Sequence, residues 1–471
     1  MPSTRKQLGA WYTPPDLVDT VVEAVITPEF VAGRPPRLAV LDPSCGDGRF
    51  LAASRDRITS LGAAAVLTGC DVDAAAISAA RAALPDVVDL RREDALSTPW
   101  SPHRFDLVIG NPPYLSQMAA VTTRGGSSRR GGGPYADAAA EFLALAGELV
   151  EPDGGRVALV LPQSMLSSRD AEAIRSSIGE RAQMIWSWWS DRRVFEAQVH
   201  VCVLAFEFGR PEPQDRRSNW SHVVTSRRGV PDVPEGLRAA GCLGDRARLN
   251  ANFRDEYYGM IPAVGDHDAG PRLITSGLID PGRSWWGRRS ITFAKQRYDT
   301  PRVDLARLDD DMVRWARRRL VPKVLVANQT RIVEAVCDPK GDWLPAVPVL
   351  GVYPSGAHWD DGGRRSEGEL AASAGEIAAV LTSPVASVWL WHRGAGTGLS
   401  ADAIRLSPVT LGALPWPSGD LARAAAALEQ GDVRACGSAV DAAYGIADDG
   451  ALFDWWSGLL ERIESRQPPP A

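Results

Sequence analysis

Phe105-Asp106-Leu107-Val108-Ile109-Gly110-Asn111-Pro112-Pro113-Tyr114-Leu115 is the stretch on which the reading of this chain turns. A buried strand, Phe105 to Ile109, runs straight into Asn-Pro-Pro-Tyr. The two prolines lack an N–H and have fixed φ, so they stiffen the turn. Pro112 also pushes Asn111 out of the helical region. The result is a rigid elbow at a strand end, holding an amide, a free backbone carbonyl and an aromatic ring. An amide oxygen and a carbonyl can accept both hydrogens of an exocyclic amine, and a ring stacks on a flat base. The plain alternative is a stiff turn that only caps a sheet.

The surroundings favour the chemical reading. From Pro14 to about Phe208 helical and strand signals alternate, which predicts an α/β fold, a doubly wound sheet with helices on both faces. Leu38–Asp42, Val66–Asp71, Val87–Leu90, Phe105–Ile109, Arg156–Leu161, Met184–Trp189 and Val199–Phe208 are its expected strands. Residues 209–249 read as a linker and transition, rich at first in Pro, Arg, Ser and Gly. Residues 250–471 lose the βα rhythm and are expected to form a second, irregular α+β domain.

The first strand leads into Asp42-Pro43-Ser44-Cys45-Gly46-Asp47-Gly48-Arg49-Phe50-Leu51. Gly46 and Gly48 let the backbone turn tightly and approach a ligand. Asp71 lies 23 residues beyond Gly48 at the tip of the next strand, where a ribose diol is gripped. Asp94 ends the third strand and could accept from an adenine amine. Three acidic strand ends suit a nucleoside cofactor without phosphates. The third glycine of a dinucleotide fingerprint is replaced by Leu51, and no phosphate loop of the ATPase kind exists.

Bulk properties set the remaining bounds. At 471 residues two or three domains are expected, and 45% hydrophobic with 23% charged residues is globular composition. No run of about 18 apolar residues exists, so no membrane partner is expected. The N-terminus lacks a signal-peptide core. Six scattered cysteines without a Cys-x-x-Cys pair argue against metal and against disulfides, and suit a reducing cytoplasm. Cys45, in the glycine turn, reads as a packed thiol. A net charge of −6 leaves room only for a local basic face.

With these parts in order, the chain resembles the gamma-class DNA adenine-N6 methyltransferases of restriction–modification systems. Trp11-Tyr12-Thr13-Pro14-Pro15 looks like their N-terminal methionine-binding segment. Asp42–Leu51, Asp71, Asp94 and Asn111–Tyr114 match their cofactor and catalytic motifs in sequence. The resemblance implies a Rossmann-like methyltransferase sheet over 1–208 and a DNA target-recognition domain over 250–471. It implies S-adenosylmethionine as cofactor, held by Tyr12, Thr13, Asp42, Pro43, Gly46, Gly48, Phe50, Asp71 and Asp94. It implies catalysis on a flipped adenine by Asn111, Pro112 and Tyr114, with Phe195, beside Val194, as a second aromatic contact. No nuclease segment is expected ahead of residue 11. Double-stranded DNA is the expected partner, with a cognate restriction endonuclease or defence proteins beside it.

For the recognition domain, the basic and amide residues Arg283, Arg288, Arg289, Lys295, Arg297, Lys323, Gln329 and Arg331, interleaved with Trp285, Trp286 and Phe293, are the candidate DNA contacts. Arg314, Arg317, Arg318 and Arg319 read as an exposed helix face. The Gly/Arg-rich segment 124–133 is either a loop that closes over DNA or a plain insertion. Two rivals stay open. One is a methyltransferase acting on RNA or on protein glutamine. The other is a non-catalytic DNA-binding defence subunit.

Overall fold

The computed structural model describes residues 12–84, 88–100, 104–114, 130–133, 136–192, 194, 200–252, 254–357, 365–400, 402–446 and 450–465. Two compact units emerge, Met1–Val224 and Thr225–Ala471.

In the first unit seven strands form one sheet: β1 (Arg37–Asp42), β2 (Ala64–Asp71), β3 (Asp89–Arg92), β4 (Leu107–Gly110), β5 (Arg156–Pro162), β6 (Ala182–Trp189) and β7 (Val201–Phe208). Their spatial order is β3-β2-β1-β4-β5-β7-β6. Pairing is parallel from β3 through β5 and antiparallel for β5–β7 and β6–β7. The central strands are largely apolar and buried, as expected of strands covered on both faces. The chain first winds outward from β1 to β3, then returns to β4 on the other side. That reversal makes β1/β4 the topological switch point, where open α/β sheets bind ligands at the strands' carboxyl ends.

The connecting helices follow from their sequences. In α1 (Pro15–Val25), Pro15 sits in the first turn, where its missing N–H is no loss, and Leu17, Val18, Val21, Val22 and Val25 form the buried stripe. α2 (Arg49–Ser60) starts from Gly48, whose φ of 81° is left-handed. α3 (Ala74–Ala83) is capped by Asp73, which accepts from the Ala75 N–H at 2.9 Å. α4 (Ala138–Leu149) is capped the same way by Asp137.

The second unit holds two four-stranded sheets. One orders Ala335–Asp338, Lys323–Val326, Leu350–Pro354 and Ala247–Ala251; the other orders Val264–Gly265, Arg302–Val303, Arg272–Ile274 and Trp343–Pro345. Helices at Glu367–Thr382, Pro384–Gly394, Ala422–Glu429, Val433–Ala443 and Gly450–Glu464 complete it. Among the described residues, no single helix is long and apolar enough to cross a membrane.

One reading needs correction here. Residues 209–249 are not a bare linker: the first unit runs on to Val224, and the second begins at Thr225 with strands at Ala239–Cys242 and Ala247–Ala251.

Candidate cofactor and catalytic site

The loop after β1 is built around two left-handed glycines, Gly46 (φ 54°) and Gly48 (φ 81°). A Cβ on Gly48 would meet Leu84 at 2.9 Å, so the loop packs tightly on α3 and tolerates no side chain there. On its other side Gly46 faces Tyr12, whose ring carbon lies 3.4 Å from where a Cβ would stand. The Gly46 N–H donates to Asp71 Oδ2 at 2.9 Å, and the Asp73 N–H donates to Oδ1 at 2.9 Å. The Cys45 N–H donates to the Cys70 carbonyl at 2.8 Å. These bonds tie the loop to the end of β2 and bring Tyr12, Gly46 and Asp71 together.

Asp71 accepts these backbone N–H groups, and a carboxylate's two oxygens have lone pairs for further donors. Asp94, exposed, is arranged alike: Oδ1 accepts from the Leu96 N–H and Oδ2 from the Ser97 hydroxyl, both at 3.0 Å. This donor-accepting rim suits a polyhydroxyl nucleoside. Thr13, Pro43, Gly48 and Phe50 are buried.

Asp42 behaves differently from the expectation of a ligand-facing carboxylate. It is 1% exposed and lies against the backbone of Gly110, at the end of β4. Its Oδ1 accepts from the Ser44 N–H at 3.0 Å. Burial, reinforced by Asp71 and Asp47, pushes its pKa up to about 8. Asp42 therefore joins the glycine loop to the strand that feeds the proline elbow. Gly110 was missed in the sequence reading, although a glycine at the end of an apolar strand signals close backbone approach.

Arg49 was missed as well. Its guanidinium bonds Asp47 at 2.9 Å and the Thr13 carbonyl, and stacks 5.1 Å from the Tyr12 ring centroid. It clamps the segment before α1 onto the glycine loop. Cys45 is buried and its thiol is pushed up by burial, as a packed thiol should be.

At the elbow, Asn111 is half-buried and Pro112 buried. Tyr114 is only 7% exposed; its hydroxyl donates to Asn111 Oδ1 and also lies 3.3 Å from the Val160 carbonyl. Burial raises its phenol well above the ordinary value. The ring is thus not an open stacking platform in this conformation, contrary to expectation; the phenol fixes the Asn111 amide instead. Phe195, Trp11 and 124–129 of the Gly/Arg segment lie outside the described residues.

In the second unit the candidate DNA contacts divide. Arg283, Arg288, Lys295 and Arg297 are exposed. Lys323 is not a surface cation: it is fully buried and paired with Asp338 at 2.5 Å, across the antiparallel register that sets the two opposite each other. Arg289 donates to the Gly277 carbonyl at 2.6 Å and lies 3.6 Å from Asp280. Arg331 is bound to Asp402 at 2.6 Å. Trp285 is buried with its N–H on Asp280, and Trp286 donates to the Pro301 carbonyl at 2.8 Å with Arg272 and Arg302 each 4.7 Å from its ring centroid. These tryptophans pack the fold. Arg319 is also buried, bonded to Asn252 at 3.2 Å, and so leaves the exposed helix face expected for it.

A seven-stranded α/β sheet with a glycine loop and a rigid strand-end elbow at its switch point is a Rossmann-like architecture. Residues 2–218 match the family model described as N-6 DNA Methylase. A curated relative, the Type II methyltransferase M.TthHB8I of Thermus thermophilus, is 36% identical over 110 residues, 23% of this chain. The chain spans 22% of that relative's length. Two solved structures are similar to part of this chain. One is a Listeria monocytogenes protein assigned to the class I S-adenosylmethionine-dependent methyltransferases (20% identity, TM-score 0.36, 44% of this chain and 64% of that one). The other is a methyltransferase subunit of a type I restriction-modification system from Streptococcus thermophilus (20% identity, TM-score 0.35, 42% and 45%).

Proposed function

We propose that this chain is a site-specific DNA methyltransferase that modifies the N6 amine of adenine in double-stranded DNA with S-adenosylmethionine as cofactor, within restriction–modification or a related defence. The observation that carries this reading is the Asn111-Pro112-Pro113-Tyr114 elbow at the end of β4, beside the glycine loop of β1, within the residues that match the N-6 DNA Methylase family model.

The cofactor, when bound, supplies an electrophilic methyl group on a sulfonium. Tyr12, Gly46, Asp71 and Asp94 would hold it, with Thr13, Pro43, Gly48 and Phe50 behind them and Asp42 bracing the loop. The adenine amine is a poor nucleophile because its lone pair is delocalised into the ring. Asn111 Oδ1 and the Pro112 carbonyl accept its two N–H groups and favour a pyramidal nitrogen with an aimed lone pair. Because Tyr114 donates to Asn111 Oδ1, the amide is oriented before substrate arrives, and its oxygen keeps a second lone pair. Base extrusion costs a few kcal/mol. Stacking, at roughly 1–3 kcal/mol per base, would offset that only once the Tyr114 ring leaves its buried position, with Phe195 as the other aromatic partner. The second unit supplies sequence recognition in this reading, through Arg283, Arg288, Lys295, Arg297 and Gln329. A cognate endonuclease is the proposed partner.

The test is transfer of labelled methyl from S-adenosylmethionine to duplex DNA, to tRNA and to protein. Duplex DNA should be the acceptor. Asn111→Ala should retain cofactor binding and lose roughly 10²–10³-fold in rate, as for removal of a preorganised polar group. Transfer to RNA or protein alone would overturn the proposal.

A further inference from the structure

In the second unit a short antiparallel ladder pairs Gln329 with Arg405 and Thr330 with Ile404. Directly opposed residues project from one face with Cβ atoms about 4.5–5.5 Å apart. Thr330 and Ile404 are buried, so the outer face carries Gln329, half-buried, and Arg405, exposed. Among the described residues the Arg405 guanidinium has no hydrogen-bond or ion-pair partner. The neighbouring Arg331 is different, since Asp402 neutralises it.

The loop between Gly394 and Ile404 returns to this face. The Leu399 N–H donates to Gln329 Oε1 at 3.0 Å. The Arg405 N–H donates to Thr397 Oγ1 at 3.1 Å, and the Thr397 hydroxyl donates to the Gly394 carbonyl at 2.6 Å. A Cβ on Gly398 would overlap the Ala403 carbonyl, so the tip admits only glycine there. The Ser400 hydroxyl donates to Asp402 at 2.7 Å. On this fixed tip Leu399 is 81% exposed. A single exposed leucine is ordinary. One held beside an oriented amide and an unpaired guanidinium is a composed surface.

The orientation of that amide decides the ligand. Gln329 commits its oxygen to Leu399 and, among the described residues, leaves its two N–H donors uncommitted, and Arg405 is donor-only. Such a face complements an edge that presents acceptors. In the major groove that edge is guanine O6 and N7, and the thymine methyl supplies an apolar neighbour. Resting on the DNA-methyltransferase reading above, we infer that Gln329 and Arg405 read a guanine in the recognition sequence through the major groove, with Leu399 packed on an adjacent thymine methyl. Arg405 is then a specificity-determining residue.

The full-length chain and its Arg405→Ala, Arg405→Lys and Gln329→Ala variants should be expressed in a bacterial host free of adenine methylation, and methylated adenines mapped across the genome. The parent should yield one motif containing a G·C pair. Arg405→Ala and Arg405→Lys should both relax that motif at a single G·C position, losing about 5- to 150-fold in discrimination, the range for one bidentate base contact. Gln329→Ala should relax the same or the adjoining position. Equal thermal melting of the parent and the Arg405 variants is expected, since that side chain is exposed. An unaltered motif in both Arg405 variants overturns the inference. So does a uniform loss of methylation at every site with no position relaxed, which marks a phosphate contact. No adenine methylation by the parent defeats the underlying reading instead, and is told apart by that control.

Discussion

Asp42 and Gly110 are locked together across the switch point of the sheet: the carboxyl carbon of Asp42 lies 2.9 Å from where a side-chain carbon on Gly110 would stand. Asp42 is also held by the Ser44 N–H, so it cannot swing aside without releasing the glycine loop. One contact therefore sets the spacing between the cofactor-side loop and the elbow that carries Asn111. Gly110→Ala should destabilise the chain by about 1–3 kcal/mol, the usual cost of overpacking, and should lower methyl transfer further than that loss explains. Combining it with Asp42→Ala should cost less than the two changes added, because the clash disappears. Denaturant midpoints of the four proteins give the coupling. Simple additivity would show that the two residues are independent.

Asp42 also sets a pH dependence. Its folded pKa of about 8 lies above the ordinary 3.8, with burial as the main cause. Between about pH 4 and pH 8 the native state holds a proton that the unfolded state has released. Stability from this group is then complete below the unfolded value and falls as pH rises towards 8. Asp42→Asn keeps an acceptor for Ser44 but has no such proton to lose. Its melting temperature relative to the parent should rise progressively from pH 5 to pH 8. A gap that stays constant over this range would mean that Asp42 titrates normally.

Lys323 belongs to the second unit's core. Its carbon stem and charge are enclosed, and Asp338 additionally accepts from the Trp343 N–H at 3.0 Å. Removing one partner strands the other charge, so Lys323→Ala should cost about 3–5 kcal/mol. Replacing both, as Lys323→Met with Asp338→Leu, should cost far less. The double variant should also bind DNA with the parental salt dependence, since Lys323 reaches no phosphate. A flattened salt slope in that folded variant would restore it to the DNA-contact set.

How much of this was legible in the sequence depends on whether the signal is local. The strands β1, β2, β4 and β5 are apolar runs punctuated by Gly, Pro or Asp, and those marks are visible within ten residues. The Asn-Pro-Pro-Tyr elbow is a local stiffness argument and needs no tertiary information. The burial of Lys323 was not visible, because it depends on antiparallel register with a residue 15 positions away. The turn of Tyr114 towards Val160 depends on the parallel neighbour β5 in the same way. The helices between Ala422 and Glu464 follow an Ala-rich stretch whose weak patterning does not announce where each begins. Phe195 falls outside the described residues.

The hairpin of Ile291–Phe293 and Gln296–Tyr298 closes through Ala294 (φ 48°) and Lys295 (φ 67°), the non-glycine residues with positive φ among those described. A two-residue turn with both φ values positive favours Asn-Gly, and each other residue there costs roughly 1–2 kcal/mol. The turn is anchored by the Ala294 N–H on the Tyr257 hydroxyl at 3.2 Å, with the Tyr257 ring 4.9 Å from Phe293. The ammonium of Lys295 is thereby displayed at an exposed tip, with Arg297 exposed on the same hairpin. If this tip meets a phosphate, Lys295→Gly should act in opposite directions on two measurements. Melting temperature should rise by about 2–4 °C as the strain is relieved. DNA affinity should fall, and its salt dependence should flatten by about one unit of slope for the lost contact. Unchanged affinity and slope in the more stable variant would leave Lys295 outside the DNA interface.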